Sequence, residues 1–400
     1  MAEGTCDSRF AEVREEFERN FAERGELGAS VCITVDGETA VDLWGGVADP
    51  ATQRPWTSDT LVLVWSCTKG ATALCAHLLA DRGQLDLDAP VATYWPEFAA
   101  AGKEHVPVRM LLSHQAGLPA LRDPLPAGAF ADWDLMVKLL AAEAPFWEPG
   151  TRHGYHALTF GWLVGEVVRR VSGRPLGTFF AEEVAGPLGL DFWIGLPEEL
   201  EPRVAPVVRT LEPTPGEPVA PFFMVAMSDP TSAAALIMMN SGGFMETPDD
   251  RRYHAAGIGS ANGITNARGL AALYRPLALG GTAGGVRLLS PEALARASMT
   301  ASAADLDAVL RAPTRFALGF CKSVGDFGPS DVLVLGPDAF GHPGSGGSIG
   351  FADPGERLSF GYAMSKMGFG TGLNARGQSL VDATYRALGY RTRQPGVWIR

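Results

Sequence analysis

Two hairpin signals, one near each end of the 400-residue chain, most constrain what it can fold into. Near the start, the strand-like runs Ala29–Val35 and Thr39–Trp44 flank Asp36-Gly37-Glu38, and Asp-Gly between such runs marks a tight β-turn. Near the end, Ser348–Ala352 and Leu358–Met364 flank Asp353-Pro354-Gly355-Glu356, and Phe316–Ser323 and Val332–Leu335 read as further strands. Between them, apolar residues at helical spacing predict helices over Ser66–Leu79, Val106–Ser113, Trp133–Glu143, Leu158–Ser172 and Leu176–Ala185. Phe10, Val13, Phe17 and Phe21 make Arg9–Arg24 an amphipathic helix, and Gly377–Leu388 closes the chain as another. The simplest architecture is α/β in the α+β sense: one antiparallel sheet built from both ends, flanked by helices, with an inserted mainly helical domain. On this reading residues 1–400 form one catalytic unit. Its sheet-containing lobe is residues 1–65 with about 290–400, and its mainly helical lobe, with substrate-covering loops, is about 66–289.

Composition narrows the function. With 46% apolar and 20% charged residues the chain can bury a large core and is not a disordered segment. Its 45 acidic against 33 basic residues give a net charge of −12, which argues against nucleic acid or an anionic membrane surface as partner. No run approaches the ~18 consecutive apolar residues of a membrane span. The start, Met1-Ala2-Glu3-Gly4-Thr5-Cys6-Asp7, lacks the basic and apolar regions of a secretory signal, so a cytoplasmic location is expected. Five cysteines without ligand spacing predict neither a disulfide framework nor a metal site. His114, His153, His156 and His342 form no His-Glu-x-x-His set, so no metal and no cofactor are expected.

Of the five lysines, only Lys69 has a serine three positions earlier, Ser66. On a helix, side chains at i and i+3 meet, so the amine can reach the hydroxyl. A free serine is a poor nucleophile and needs a base, and lysine can serve only when burial or a nearby cation lowers its pKa. The apolar approach Leu61-Val62-Leu63-Val64-Trp65 leads like a strand into this helix, whose first N–H groups can help hold an oxyanion. A rival pattern, Gly346-Gly347-Ser348-Ile349-Gly350, matches the nucleophile elbow of α/β-hydrolases. That fold needs a histidine after the serine, and the last histidine here is His342, so Ser348 lacks its triad.

Ser66-Cys67-Thr68-Lys69 resembles the first motif of class C β-lactamases, serine D-Ala-D-Ala peptidases and family VIII carboxylesterases. Gly154-Tyr155-His156-Ala157 is similar to their Tyr-x-Asn motif, and Gly341-His342-Pro343-Gly344 to their Lys/His/Trp-x-Gly motif. Leu111-Leu112-Ser113-His114-Gln115-Ala116-Gly117-Leu118 is similar to a segment common to the group, and Gly341 to Pro354 looks most like the esterase branch. The resemblance implies a β-lactamase/D-Ala-D-Ala-peptidase-like fold, Ser66 as nucleophile, and Lys69 with Tyr155 as general base. It places the oxyanion donors at the Ser66 and Ser345 amides. Ala157 stands where Asn is usual, and His342 where the β-lactamases carry lysine; both departures fit a neutral ester better than a β-lactam.

The expected function is therefore a serine esterase acting on short- to medium-chain carboxylic esters through a Ser66 acyl-enzyme. A β-lactamase or D-Ala-type peptidase or amidase, an acyltransferase, and a non-catalytic binding protein on the same fold are the alternatives. Candidate substrate contacts are His342, Gly344, His156, Trp147, Phe222 and Phe223. The last two belong to an irregular, proline-rich stretch from Val204 to Ile264 whose Phe and Met residues suit an adaptable apolar pocket. The expected partner is a small-molecule ester.

Overall fold

A computed structural model describes residues 2–210, 219–324, 333–393 and 397–400. The two hairpins lie side by side. Strand β1 (Glu3–Cys6) pairs with β3 (Glu38–Asp49), which pairs with β2 (Gly28–Val35) through a turn in which Asp36 and Gly37 both have positive φ. That is the backbone shape an Asp-Gly turn supplies. Joining the two ends of the chain, β2 pairs antiparallel with Leu358–Met364, Val31 opposite Tyr362. At the hairpin tips the Asp36 N–H donates to the Arg357 carbonyl at 3.0 Å.

The sheet continues outward from Leu358–Met364 through Ile349–Asp353, Phe340–Pro343, Cys321–Lys322 and Thr314–Phe316 to Ser302–Ala304, antiparallel throughout. Sheet and flanking helices thus follow the architecture expected from the sequence, with differences in detail. The strand expected over Phe316–Ser323 is two short strands, because Gly319 turns the chain with φ +87° and a Cβ there would lie 2.3 Å from that of Ala73. Of the strand expected over Val332–Leu335, Val332 lies outside the described residues. Leu335 donates to the Ser323 hydroxyl and Val334 to the Gln378 side chain, in place of ladder bonds.

Both faces of the sheet are covered. On one, helix α1 (Ala11–Glu23) and the closing helix Ala375–Ala387 bury Val13, Phe17, Leu380 and Tyr385 against Val31, Ile33, Phe351 and Phe360. On the other lies Ala267–Ala278, a helix absent from the sequence reading although Leu270, Ala271, Leu273, Tyr274 and Leu277 keep helical spacing. Pro276 masks it, yet sits in the last turns where the helix is ending. The helix lies close on the sheet at Gly350 and Gly361, where a Cβ would come within 2.7 Å of Tyr274 and 2.2 Å of the Ala267 carbonyl oxygen.

The helical part centres on α2 (Thr68–Asp81), which is buried from Thr68 to Leu79. Helices over Trp133–Ala142 and Phe160–Ser172 match expectation, and Leu176–Phe180 continues as a wider π-helical turn over Ala181–Ala185. The Val204–Ile264 stretch is less irregular than its prolines imply. It contains helices α3 (Pro221–Ser228), α4 (Ala233–Met239) and α5 (Arg251–Ala255), because Pro221 occupies the first helical turn and Ser232 and Asp250 cap. Pro213, Pro215 and Pro218 lie outside the described residues.

Candidate active site

The strand Leu61–Leu63 delivers the chain to Trp65, whose φ of +49° reverses it immediately before Ser66. A bulky residue in the left-handed region is strained and needs its surroundings to hold it. Here the indole packs against Phe244, ring centroids 5.8 Å apart. Ser66 therefore sits in the turn before α2 and not on it, one difference from the expected helix Ser66–Leu79. Its carbonyl still accepts from the Lys69 N–H at 3.0 Å, which keeps the two side chains together.

Lys69 is wholly buried, its Nζ 3.0 Å from Ser66 Oγ, 2.6 Å from the Ala157 carbonyl and 2.9 Å from the Ser260 carbonyl. Burial lowers its pKa from 10.5 to about 7. Three acceptors surround the amine; once it loses a proton, the two carbonyls keep its N–H bonds and its lone pair is freed toward the Ser66 hydroxyl.

Tyr155 lies beside them, its ring centroid 4.9 Å from Lys69 Nζ. Burial pushes its phenol well above the ordinary value, and hydrogen bonding to the Ser66 side chain pulls it partly back. Tyr155 is held from behind by a residue the sequence reading missed. The buried Asp307 carboxylate accepts from the Tyr155 N–H at 3.1 Å, and from the Val309 and Leu310 N–H groups at 2.7 and 2.8 Å. Nothing local in the sequence pairs Asp307 with Tyr155; only the folded chain does.

Ser66, Tyr155 and Ser345 share a cavity of about 500 Å³ with Trp65, Phe222, Phe223 and Met238. Among the described residues, neither the Ser66 nor the Ser345 N–H has a hydrogen-bond acceptor. Ser345 reaches this place because Gly344 lets the chain pass Val64, whose carbonyl oxygen would be 2.3 Å from a Cβ at 344. Gly344 itself donates to the Ser348 carbonyl at 2.7 Å and is not on the cavity wall. The rival Ser348 is fully buried and does not line the cavity either.

Besides Gly344, three more of the expected substrate contacts are placed elsewhere. His156 is a buried structural residue: its Nε2 accepts from the Leu118 N–H at 2.9 Å and its Nδ1 donates to the Gly154 carbonyl at 2.7 Å. Both ring nitrogens are used, and burial holds its pKa down to about 3. Trp147 packs edge-on against His156, centroids 6.0 Å apart, and over Gly154, outside the cavity lining. His342 lies behind Tyr155, ring centroids 5.9 Å apart, with Nδ1 donating to the Pro343 carbonyl at 2.8 Å. Burial lowers its pKa to about 3, so its ring is neutral and cannot replace a charged lysine as carboxylate anchor. Phe222 and Phe223 do line the cavity, as do the unanticipated Leu310 and the segment Met367–Thr371.

A β-lactamase family model matches residues 14–384. The chain belongs to the β-lactamase family. Within it, this chain is 36% identical over 360 residues to the esterase/β-lactamase LipL of Mycobacterium tuberculosis, covering 89% of this chain and 81% of LipL. Among solved structures it is similar to a family VIII carboxylesterase, at 41% identity and a TM-score of 0.86, covering 97% of this chain and 100% of that one. It is similar also to a penicillin-binding protein homologue from Caulobacter crescentus, at 39% identity and a TM-score of 0.86, covering 97% and 100%. Among the described residues no single helix is long and apolar enough to cross a membrane.

Proposed function

We propose that this chain is a serine carboxylesterase in which Ser66 forms an acyl-enzyme and Lys69 is the resting-state base. The observation that carries the reading is the set of Lys69 partners: two carbonyls and the Ser66 hydroxyl, in a site whose burial lowers the amine to about 7. A neutral amine there takes the Ser66 proton as Oγ attacks the ester carbonyl. The unpaired N–H groups of Ser66 and Ser345 are positioned to receive the developing oxyanion. Tyr155, whose raised pKa keeps it protonated at neutral pH, passes a proton to the departing alcohol and regains one from Lys69. Water then adds to the acyl carbon and the acid leaves, restoring Ser66.

An ester is favoured over a β-lactam by two features. His342 offers no cation for a carboxylate, and Ala157 offers no side-chain amide to a substrate. The similarity to a family VIII carboxylesterase supports the same class, and LipL, an esterase/β-lactamase, fits either. Comparing p-nitrophenyl butyrate with nitrocefin tests this: kcat/KM for the ester should exceed that for the lactam by ~100-fold or more, the scale of missing polar recognition. Comparable or faster nitrocefin turnover would reverse the assignment to β-lactamase.

A further inference from the structure

We propose that the cavity selects uncharged, lipophilic esters of medium chain or aryl type over acetyl esters, a substrate class that rests on the esterase reading above. Its volume is about 500 Å³, and at about 30 Å³ per water-sized group that is space for roughly sixteen non-hydrogen atoms. An acetyl group leaves most of this surface wet. The lining is dominated by Phe222, Phe223, Phe369, Met238, Met245 and Met367. No aspartate or glutamate lines it among the described residues, and its single charged side chain, Arg209, is solvent-exposed, with one N–H donating to the Met245 carbonyl at 2.7 Å. A charged group carried into this space would lose hydration against apolar walls.

The wall is also built to adapt. Helices α3 and α4 meet at 86°, and Val219–Ser228 contains no charged residue. Phe222, Phe223, Met227, Ile237 and Met238 line the cavity, while Met224 and Met239 are 59% and 79% exposed. Thioether and phenyl groups on short helices with open backs can re-pack around ligands of different shape. Breadth of acyl group at a preferred size is the expected result.

A p-nitrophenyl ester series from acetate to decanoate tests the proposal on the intact chain. kcat/KM should rise about fourfold per methylene as far as hexanoate or octanoate, the gain expected from burying each CH₂. Met238→Trp, which fills the cavity, should lower the decanoate-to-acetate ratio by about tenfold. A series that falls beyond butanoate, or a ratio that Met238→Trp leaves unmoved, overturns the substrate class. Running Ser66→Ala in parallel separates the two levels: a falling series with no turnover in Ser66→Ala sinks the substrate class alone, whereas turnover surviving in Ser66→Ala sinks the Ser66 acyl-enzyme on which the reading above rests.

An independent observation points to Asn374 as a positioning residue for the oxyanion donor, again on the esterase reading. Ser345 sits in the run Gly344-Ser345-Gly346-Gly347, where Gly346 and Gly347 have φ of +84° and +124°. Such a run is not stiff by itself. The Gly346 carbonyl is fixed from outside, accepting from Asn374 Nδ2 at 2.6 Å and from the Gly368 N–H at 2.8 Å. The other end of the same amide caps the closing helix, Oδ1 accepting from the Arg376 and Gly377 N–H groups at 3.0 and 3.3 Å. Asn374→Asp keeps the cap and replaces the donor with an acceptor. It should lower kcat by about 10- to 100-fold, somewhat less than loss of an oxyanion donor itself, with KM within about twofold. Affinity for a phosphonate transition-state analogue should fall in proportion, and the unfolding midpoint should hold. Asn374→Ser, which retains a cap acceptor without adding charge, should move kcat the same way. Unchanged kcat in both variants, or a change confined to KM or to stability, overturns the role.

Discussion

Ser66→Ala is expected to lower kcat for p-nitrophenyl butyrate by on the order of 10⁴-fold or more, the scale seen when a hydrolase loses its nucleophile. KM should change little, because the Ser66 hydroxyl adds almost nothing to the apolar surface that binds the ester. Stability should change little as well: Ser66 lies at the cavity, and Lys69 keeps its two carbonyl partners without it. Ser348→Ala should retain activity, since that hydroxyl is sealed away from the cavity. Steady-state kinetics on the two variants discriminate directly between the two serines. The reverse pattern would put the nucleophile on the glycine-rich loop.

Lys69→Arg is the second large effect. A guanidinium stays charged at every working pH and cannot take the Ser66 proton, so kcat should fall by ~10³-fold or more. In the unaltered chain, kcat/KM should rise with pH through about 7 as the Lys69 ammonium loses its proton. The same burial has a stability consequence of opposite sense. The folded-state pKa is lowered below the unfolded one, so the folded protein binds fewer protons between about pH 7 and 10.4, and stability climbs with pH across that window. Below pH 7 the buried ammonium carries its full desolvation penalty, a few kcal/mol at ~1.4 kcal/mol per pKa unit. Lys69→Met should therefore be inactive yet more stable than the parent, by most near pH 6 and least near pH 10. Thermal unfolding at the two pH values checks the sign.

The elements of this fold that the sequence reveals are those whose signals are local. Asp36-Gly37 and Asp353-Pro354-Gly355 announce hairpins through turn chemistry, and the Ser66 to Lys69 spacing places an amine beside a hydroxyl. Sequence neighbourhood misleads at His156 and Trp147. His156 adjoins Tyr155 in the chain, yet Tyr155 lines the cavity while His156 turns inward to bond the Leu118 N–H. The groups missed altogether act across long separations. Asp307 holds Tyr155 from 152 residues away, and Asn374 reaches Gly346 from 28. No periodicity or motif encodes such contacts; they exist only once sheet and helices have packed. The cavity illustrates the same limit. Phe222 and Phe223 were visible as apolar residues in a proline-rich stretch, but that Met367 and Phe369 would join them follows from strand Leu358–Met364 ending beside the site.

The central claim is covalent, and intact-mass spectrometry with peptide mapping tests it most directly. After brief mixing with a p-nitrophenyl ester and acid quench, the chain should gain one acyl group, and the modified peptide should place it on Ser66. The adduct should vanish in Ser66→Ala and persist in Ser348→Ala. An acyl group mapped to Ser348 or any other residue, or an unchanged adduct in Ser66→Ala, would contradict the account.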